Sequence, residues 1–289
     1  MSANAGATPL QSAIRALAAG ETLTRDDARA AFELVMAGEA SPVQVAALLI
    51  GLRVKGETAE EVAGVVQAMR AAMVQLPAPQ PETLVDTCGT GGGSVQTFNI
   101  STAAALLAAG TGVRIAKHGN RSFTSQCGSA DVLEALGVKI DVPVDVMTRA
   151  LGDAGIVFMF APLMHPAMRH VGPVRRELGI PTVMNIVGPL ANPAMAGRQV
   201  VGVADERRVP LIAGALKELG TRHALVVHGT GMDEVSPHAA TQVIEIRDGT
   251  TSTWSVDPAK YGYSKLNAAD LAGGTPDSNA RTVLDVLGG

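Results

Sequence analysis

From residue 83 onward, short β-branched runs alternate with helical patterns, and this alternation constrains the fold more than any other feature. Strand–helix alternation is typical of an α/β fold, with a mostly parallel central sheet flanked by helices. The predicted strands are Thr83–Val85, Val113–Ala116, Ile156–Phe160, Gln199–Ala204, Ala224–His228 and Val243–Arg247. Ligands of such sheets bind beyond the carboxyl ends of the strands, so the segments that follow these runs are the first candidates for a site.

The first 76 residues carry helical signals instead. Apolar residues recur at helical spacing from Leu10 to Leu17, which predicts a first helix. Thr24, Ser41 and Thr58 each begin a capping pattern, which predicts three more helix starts.

These patterns predict two domains. A small helical domain covers residues 1–76, and the helical-looking stretch 165–190 rejoins it. A large α/β domain covers residues 83–164 and 191–289. Three prolines between residues 77 and 81 predict a stiff linker between the two.

Composition excludes several classes of function. The net charge of −4 and the lack of a tract dense in Lys and Arg argue against nucleic-acid binding. No apolar run is long enough to span a bilayer, and the N-terminus lacks the basic and apolar regions of a signal peptide. Cys88 and Cys127 are few enough to fit a reduced cytosolic protein. We therefore expect a cytoplasmic protein without nucleic-acid or membrane partners.

Three segments of one chemical kind lie between residues 86 and 131. The glycine cluster Gly89–Gly93 leads into a helix near Ser101, a basic segment runs from Lys117 to Arg121, and the turn at Gly128 opens another helix. Glycine lets a polyanion approach the backbone, and helix N-termini present unpaired N–H groups. With two added cations, the stretch predicts a site for a phosphate-rich substrate.

Two common phosphate motifs do not fit this stretch. A dinucleotide fingerprint needs a third glycine where Ser94 stands, and an acid where the second strand ends in Lys117 and His118. A P-loop fails because no Gly-Lys-Ser/Thr follows the glycine cluster. A plain turn between strand and helix remains the alternative for the cluster.

Each remaining candidate also has a structural alternative. Ser101 and Thr102 could simply cap a helix, or could bind phosphate or metal beside the glycine cluster. The basic segment could be solvated or could meet an anion. Adjacent Asp233 and Glu234 could form a solvated turn, or could bind Mg²⁺, which prefers oxygen ligands and often bridges to substrate phosphates.

The pair Arg175 and Arg176 lies on a predicted helix after His165 and Pro166. An exposed helical arginine pair is one reading. The other is a bidentate contact from an arginine to a small carboxylate, which is selective. The remaining histidines show no metal-binding spacing.

Seven motifs in order then resemble one family: DTCGTGG, TFNIST, AKHGNR, GSADVLEALG, HPAM with VRRELG, GPLANPA and VVHG with MDE. Together they closely resemble the anthranilate phosphoribosyltransferases of tryptophan synthesis. The resemblance implies a fold shared with pyrimidine nucleoside phosphorylases and a homodimer formed through the helical domain. It implies transfer of the 5-phosphoribosyl group from phosphoribosyl pyrophosphate (PRPP) to the amine of anthranilate, giving pyrophosphate, with Mg²⁺ as cofactor.

The loops and the resemblance together predict the site residues. Those predicted to bind PRPP are Gly89, Gly92, Gly93, Thr97, Asn99, Ile100, Ser101, Thr102, Lys117, His118, Gly119, Asn120, Arg121, Ser125 and Ser129. Those predicted to bind anthranilate are Gly89, His118, Asn120 and Arg175. Those predicted to hold metal are Ser101, Asp233 and Glu234. Catalysis is expected to be charge stabilisation of the leaving pyrophosphate plus alignment of the aniline nitrogen, carried by Lys117, Arg175, Asp233 and Glu234.

Three departures from the family pattern stand out. Gly93 replaces an acid that commonly ends the glycine loop, and Pro181 stands where an arginine is usual. Family chains usually continue past residues 279–281 with further helix, so we expect a C-terminally truncated α/β domain. Two rival functions remain: another phosphoribosyl or nucleoside-phosphate enzyme, opposed by Arg175 within VRRELG, and a non-catalytic nucleic-acid binder, opposed by the acidic net charge.

Overall fold

The structure is a computed structural model that describes residues 6–122, 125–263 and 266–289. The first five residues, which we assigned to the helical domain, lie outside the described residues. So do positions 123 and 124, which follow the basic segment.

Four helices form the N-terminal part, as the apolar spacing and the capping patterns predict. They are α1 (Pro9–Ala18), α2 (Arg25–Ala37), α3 (Pro42–Lys55) and α4 (Ala59–Ala72). The hydroxyls of Thr8, Thr24, Ser41 and Thr58 each accept the main-chain N–H three residues on, which satisfies a donor that the helix cannot pair itself. Helix α2 packs against α4, and α1 packs against α3.

A seven-stranded sheet forms the rest, in the order β3-β2-β1-β4-β5-β6-β7. Its strands are β1 (Val85–Gly89), β2 (Ile115–Gly119), β3 (Ile156–Phe160), β4 (Arg198–Gly202), β5 (His223–Gly229), β6 (Thr241–Arg247) and β7 (Thr250–Val256). Strands β1 to β5 are parallel, and β6 and β7 continue the sheet antiparallel. The predicted mostly parallel α/β sheet is confirmed.

Helices α5 (Ile100–Gly110), α6 (Ser129–Ala135), α7 (Val144–Ala154), α8 (Ala161–Met164), α9 (Gly172–Leu178), α10 (Val209–Glu218) and α11 (Pro276–Gly288) connect or follow the strands. Helix α9 packs on α3, and the short 3-10 helix Pro166–His170 contacts α2 and α4. Helix α10 lies against both α4 and β5, so one apolar core joins the helical part to one face of the sheet. No helix among the described residues is long and apolar enough to cross a membrane.

The first two strands run further than predicted. Strand β1 continues through Asp86 to Gly89, and β2 continues through Lys117 and His118 to Gly119. The sequence patterns ended these strands at Val85 and Ala116, and we expected the residues that follow in loops. The prediction was wrong there because Asp86 and Lys117 are buried together, and opposite charges reduce the cost of burial.

Candidate functional site

The glycine cluster wraps around the turn that follows β5. The N–H of Gly91 donates to Oδ2 of Asp233 at 2.8 Å, and a Cβ on Gly89 would lie only 2.4 Å from that same oxygen. Gly91 and Gly92 have φ values of 67° and 81°, a region in which side chains are disfavoured. Glycine is therefore needed here for both close approach and backbone conformation.

Gly93, the departure from the family pattern, has a local explanation. A Cβ at this position would lie 2.8 Å from the carbonyl oxygen of Gly231, in the turn after β5. The N–H of Val95 also donates to that carbonyl at 3.1 Å. An acidic side chain at position 93 would therefore require this turn to shift.

The two adjacent carboxylates reach two different main-chain donors. While Asp233 accepts from Gly91, Oε1 of Glu234 accepts the N–H of Ser101 at 3.1 Å, in the first turn of α5. Burial, followed by the nearby charge of Asp233, raises the pKa of Glu234 to about 8. The carboxylates thus lie against the N–H groups that we predicted would meet phosphate.

Lys117 brings a buried cation to the same place. Its side chain projects from β2, and Nζ donates to the carbonyl oxygen of Thr87 at 2.5 Å and to Oγ of Ser101 at 3.3 Å. Burial lowers the pKa of Lys117, and the carboxylate of Asp86 opposes that shift most strongly. Ser101 therefore contacts both the buried cation and Glu234 of the acidic pair.

Two buried residues, Asp86 and Asn192, support this arrangement. The sequence patterns did not identify either as a site residue. Asp86 is fully buried; Oδ1 accepts the N–H of His118 at 3.1 Å, and Oδ2 accepts from Nδ2 of Asn192 at 2.7 Å. The same amide nitrogen of Asn192 also donates to the carbonyl of Ala116 at 2.9 Å. Burial raises the pKa of Asp86, and Lys117 opposes the shift. A polar Asn within the apolar segment GPLANPA was the available signal.

His118 stacks obliquely on His165, to which the sequence analysis assigned no role. The ring centroids are 4.9 Å apart, and Nε2 of each ring is buried without a hydrogen-bond partner among the described residues. Burial lowers the pKa of His118 to about 3 and that of His165 to about 4. Both rings are neutral at physiological pH, and each has one buried nitrogen that no described residue bonds.

Arg121 is already paired. Its guanidinium donates to Oδ1 of Asp131 at 2.8 Å and to Oε2 of Glu134 at 2.5 Å, and lies 5.6 Å from the ring centre of Phe160. A direct contact to phosphate would compete with these acidic partners. Its observed bonds instead join the end of β2 to α6.

The other predicted residues of the third segment lie next to one another. Ser129 begins α6, and its hydroxyl donates to the carbonyl of Asn120 at 3.2 Å. A Cβ on Gly119 would lie 2.2 Å from that hydroxyl oxygen, so the strand end needs glycine. The hydroxyl of Ser125 donates to the carbonyl of Cys127 at 3.3 Å. Thr102, next to Ser101 on α5, is buried, and its hydroxyl has no partner among the described residues.

Arg175 and Arg176 differ in their surroundings. Arg175 on α9 is partly buried and makes no ion pair within the described part of the chain, and burial lowers its pKa. Arg176 is exposed. None of the described contacts joins Arg175 to the cluster around Ser101, so its role in that site stays a prediction.

The donor set fits a hard cation. Across residues 6–122, 125–263 and 266–289, no three His, Cys, Asp or Glu side chains form a preformed metal cage. Asp233 and Glu234 nevertheless offer carboxylates from adjacent residues, and Ser101, whose N–H donates to Glu234, adds a hydroxyl oxygen. Mg²⁺ is commonly held by one or two carboxylates plus substrate phosphates, so this set fits Mg²⁺ that arrives with a phosphorylated ligand.

Comparisons with known proteins cover nearly the whole chain. Residues 81–289 match the α/β domain of a glycosyl transferase family, and residues 11–73 match its helical bundle domain. Anthranilate phosphoribosyltransferase from Symbiobacterium thermophilum is 48% identical over 281 residues, which cover 97% of this chain and 82% of that protein. Its namesake from Herpetosiphon aurantiacus is 51% identical over 269 residues, 92% of this chain and 79% of that protein.

Solved structures of enzymes with the same name share the fold. The Thermus thermophilus enzyme superposes with a TM-score of 0.87 at 42% identity, over 94% of this chain and 80% of that one. The Saccharomyces cerevisiae enzyme in complex with PRPP and Mg gives a TM-score of 0.86 at 29% identity, over 96% and 80% of the two chains. A further structure of the yeast enzyme contains 4-fluoroanthranilate and gives a TM-score of 0.84.

Proposed function

This chain belongs to the anthranilate phosphoribosyltransferase family, and we propose that it transfers the 5-phosphoribosyl group of PRPP to the amine of anthranilate. The products are N-(5-phosphoribosyl)anthranilate and pyrophosphate, and the reaction is a step of tryptophan biosynthesis. The matches extend over nearly the whole chain, and a relative of the same fold is known with PRPP and Mg bound.

The observation that carries the proposal is the convergence at Ser101. Its N–H meets Glu234, and its hydroxyl meets the ammonium of Lys117. A cation, a helix N-terminus and a carboxylate at one point, with a second carboxylate on the preceding residue, suit a magnesium pyrophosphate group.

Charge stabilisation is the main chemical task. Loss of pyrophosphate leaves positive charge on the ribose and negative charge on the leaving group. Lys117 lies where it can neutralise part of that negative charge, and Asp233, Glu234 and Ser101 would hold Mg²⁺. Bound Mg²⁺ supplies further neutralisation of the pyrophosphate. The N–H groups of Gly91 and Ser101, which now donate to these two carboxylates, would be donors for phosphate oxygens if the carboxylates held Mg²⁺ instead.

Acceptor binding is assigned to Arg175, His118, Gly89 and Asn120. Arg175 is a partly buried cation without an ion-pair partner among the described residues, and a guanidinium holds a carboxylate in bidentate geometry. Neutral His118 offers an unpartnered nitrogen without adding charge, so it can orient the anthranilate amine through a hydrogen bond. Gly89 and Asn120 are assigned to the same acceptor, since they lie at the ends of β1 and β2.

We further propose a homodimer formed through the helical part, in the cytoplasm. Val43 and Val54 on α3 are 78% and 81% exposed, and apolar residues on one helix favour a covered face. Both described cysteines are free thiols, as expected in a reducing compartment. Sedimentation of the wild type and of Val54→Asp tests the dimer: the variant should sediment as a monomer, and a monomeric wild type contradicts the proposal.

The activity is tested by anthranilate fluorescence. We expect the signal to fall when the chain, PRPP and Mg²⁺ are all present, and to stay constant when EDTA removes the metal. Salicylate, which has the carboxylate without the amine, serves as a control acceptor that should release no pyrophosphate. Unchanged fluorescence with a folded, PRPP-binding chain would point to a different acceptor and contradict the proposed function.

A further inference from the structure

Asn279 connects the C-terminal helix to the predicted PRPP site. It is 2% exposed and lies in the first turns of α11, far along the chain from the glycine cluster. Its Nδ2 donates to Oδ1 of Asn99 at 2.9 Å, and its Oδ1 accepts the N–H of Gly274 at 2.8 Å. Both ends of this buried amide are therefore occupied.

Among the described residues, Asn279 and Cys127 hold the side chain of Asn99. It stands at the N-cap position of α5, but its side chain makes no capping hydrogen bond to the helix. Instead Nδ2 donates to the carbonyl of Cys127 at 3.2 Å, and Oδ1 accepts from the Cys127 thiol at 3.2 Å as well as from Asn279. The Asn99 amide thus joins three segments of the chain.

The segment before α11 also lies against residues 96–98, which connect the glycine cluster to α5. The N–H of Phe98 donates to Leu271, and the N–H of Gly273 donates to the carbonyl of Gln96 at 3.1 Å. A Cβ on Gly273 would lie 2.4 Å from the carbonyl oxygen of Thr97, so this contact requires glycine. One cleft is lined by Thr97, Ser125 and Cys127 from the predicted PRPP segments together with Asn279.

We propose that Asn279 is a positioning residue for PRPP: through Asn99 it fixes residues 96–99 and the turn at Cys127 in the arrangement that PRPP needs. This inference rests on the proposed function and adds to it a residue that does not itself touch the substrate. A buried amide that is hydrogen-bonded at both ends keeps one orientation. Asn279 therefore fixes the side chain of Asn99, to which it donates.

Asn279→Asp is the most direct test. The variant keeps the size of the side chain and the acceptor for Gly274, but it replaces the donor to Asn99 with an oxygen that repels Oδ1. We expect the KM for PRPP, and the Kd measured by calorimetry with Mg²⁺, to rise about tenfold, the order expected for loss of one buried hydrogen bond. The KM for anthranilate should change by less than about twofold.

A matched variant separates positioning from loss of stability. Val283 lies on the same helix, is fully buried, and packs in the apolar cluster that contains Cys127, but it makes no bond to Asn99. The variant Val283→Ala should have a lower melting temperature and an unchanged KM for PRPP. An equal rise in the KM for PRPP in both variants would overturn the proposal. A loosened α11 would then be enough to explain the weaker binding of PRPP.

A double-mutant cycle tests the route through Asn99. In an Asn99→Ala background, Asn279→Asp should cause no further rise in the KM for PRPP, whereas independent effects would multiply. Multiplying effects, or an Asn279→Asp variant that behaves like the wild type, would overturn the inference alone. A wild type that neither binds PRPP nor consumes anthranilate would overturn both the inference and the proposed function.

Discussion

The carboxylate of Glu234 accepts the main-chain N–H of Ser101 at 3.1 Å, although the two residues lie on different connections of the sheet. This contact places an acid at a helix N-terminus, where a phosphate oxygen is an equivalent acceptor. A metal ligand and a phosphate donor are therefore direct neighbours, and binding of Mg²⁺ and PRPP should be mutually dependent.

Glu234→Gln tests that dependence. The amide oxygen can still accept from Ser101, so the fold should be kept, but an amide cannot supply the negative charge that a carboxylate would offer to bound Mg²⁺. We expect the Mg²⁺ concentration for half-maximal rate to rise at least about tenfold, in line with a lost charged ligand. Titration of Mg²⁺ at fixed PRPP measures it. Asp248→Asn, an exposed acid in the β6–β7 turn, is the control and should behave as the wild type.

Lys117→Met should act on PRPP use and on stability together. Loss of the ammonium removes charge stabilisation of the leaving group, and we expect kcat/KM for PRPP to fall by about 100-fold or more. The buried carboxylate of Asp86 also loses its nearest opposite charge, which should lower the melting temperature. Lys139→Met, at an exposed position, should change neither quantity. Wild-type PRPP kinetics in a folded Lys117→Met variant would contradict the assignment.

The neighbouring arginines of α9 make a matched pair. Arg175→Ala should raise the KM for anthranilate by about tenfold to 100-fold, since a charged hydrogen bond to the carboxylate is lost, and leave the KM for PRPP nearly constant. Arg176→Ala removes an exposed guanidinium from the same helix and should leave both constants unchanged. Steady-state kinetics with each substrate varied in turn would show the difference; equal effects of the two variants would rule out a specific role for Arg175.

Much of this architecture could be predicted from local patterns. The capping hydroxyls of Thr24, Ser41 and Thr58 begin helices as expected, because a cap is a contact between residues three apart. Ser101 and Glu234 could be assigned to one site because parallel strands end at the same edge of a sheet.

Other features depend on partners distant in sequence. Asp86 is bonded to Asn192, and His118 stacks on His165, and neither pair has a local signature. Strand β7 escaped prediction because it is rich in Ser and Thr and mostly exposed, without the alternation of a half-buried strand. The Asp-Gly pair before it, with φ values of 46° and 80°, was a usable hairpin signal.

The histidine pair predicts how stability depends on pH. The pKa of His118 is about 3 and that of His165 about 4 in the folded chain, against about 6.5 for an unfolded histidine. Between these values the unfolded chain binds more protons than the folded chain, so the free energy of unfolding rises with pH. The contribution of the two neutral rings to the free energy of unfolding is fully present above about pH 7, and it is lost as pH falls below 6.5.

Replacing both rings should flatten that dependence. The double variant His118→Asn/His165→Asn should be less stable than the wild type at pH 8, because it loses a buried ring contact. Between pH 6.5 and 5, however, its melting temperature should fall less steeply, since each neutral imidazole contributes a slope of up to about 1.4 kcal/mol per pH unit. Thermal unfolding followed by circular dichroism across this range measures the difference, and parallel curves for wild type and double variant would mean that the buried pair does not control acid stability.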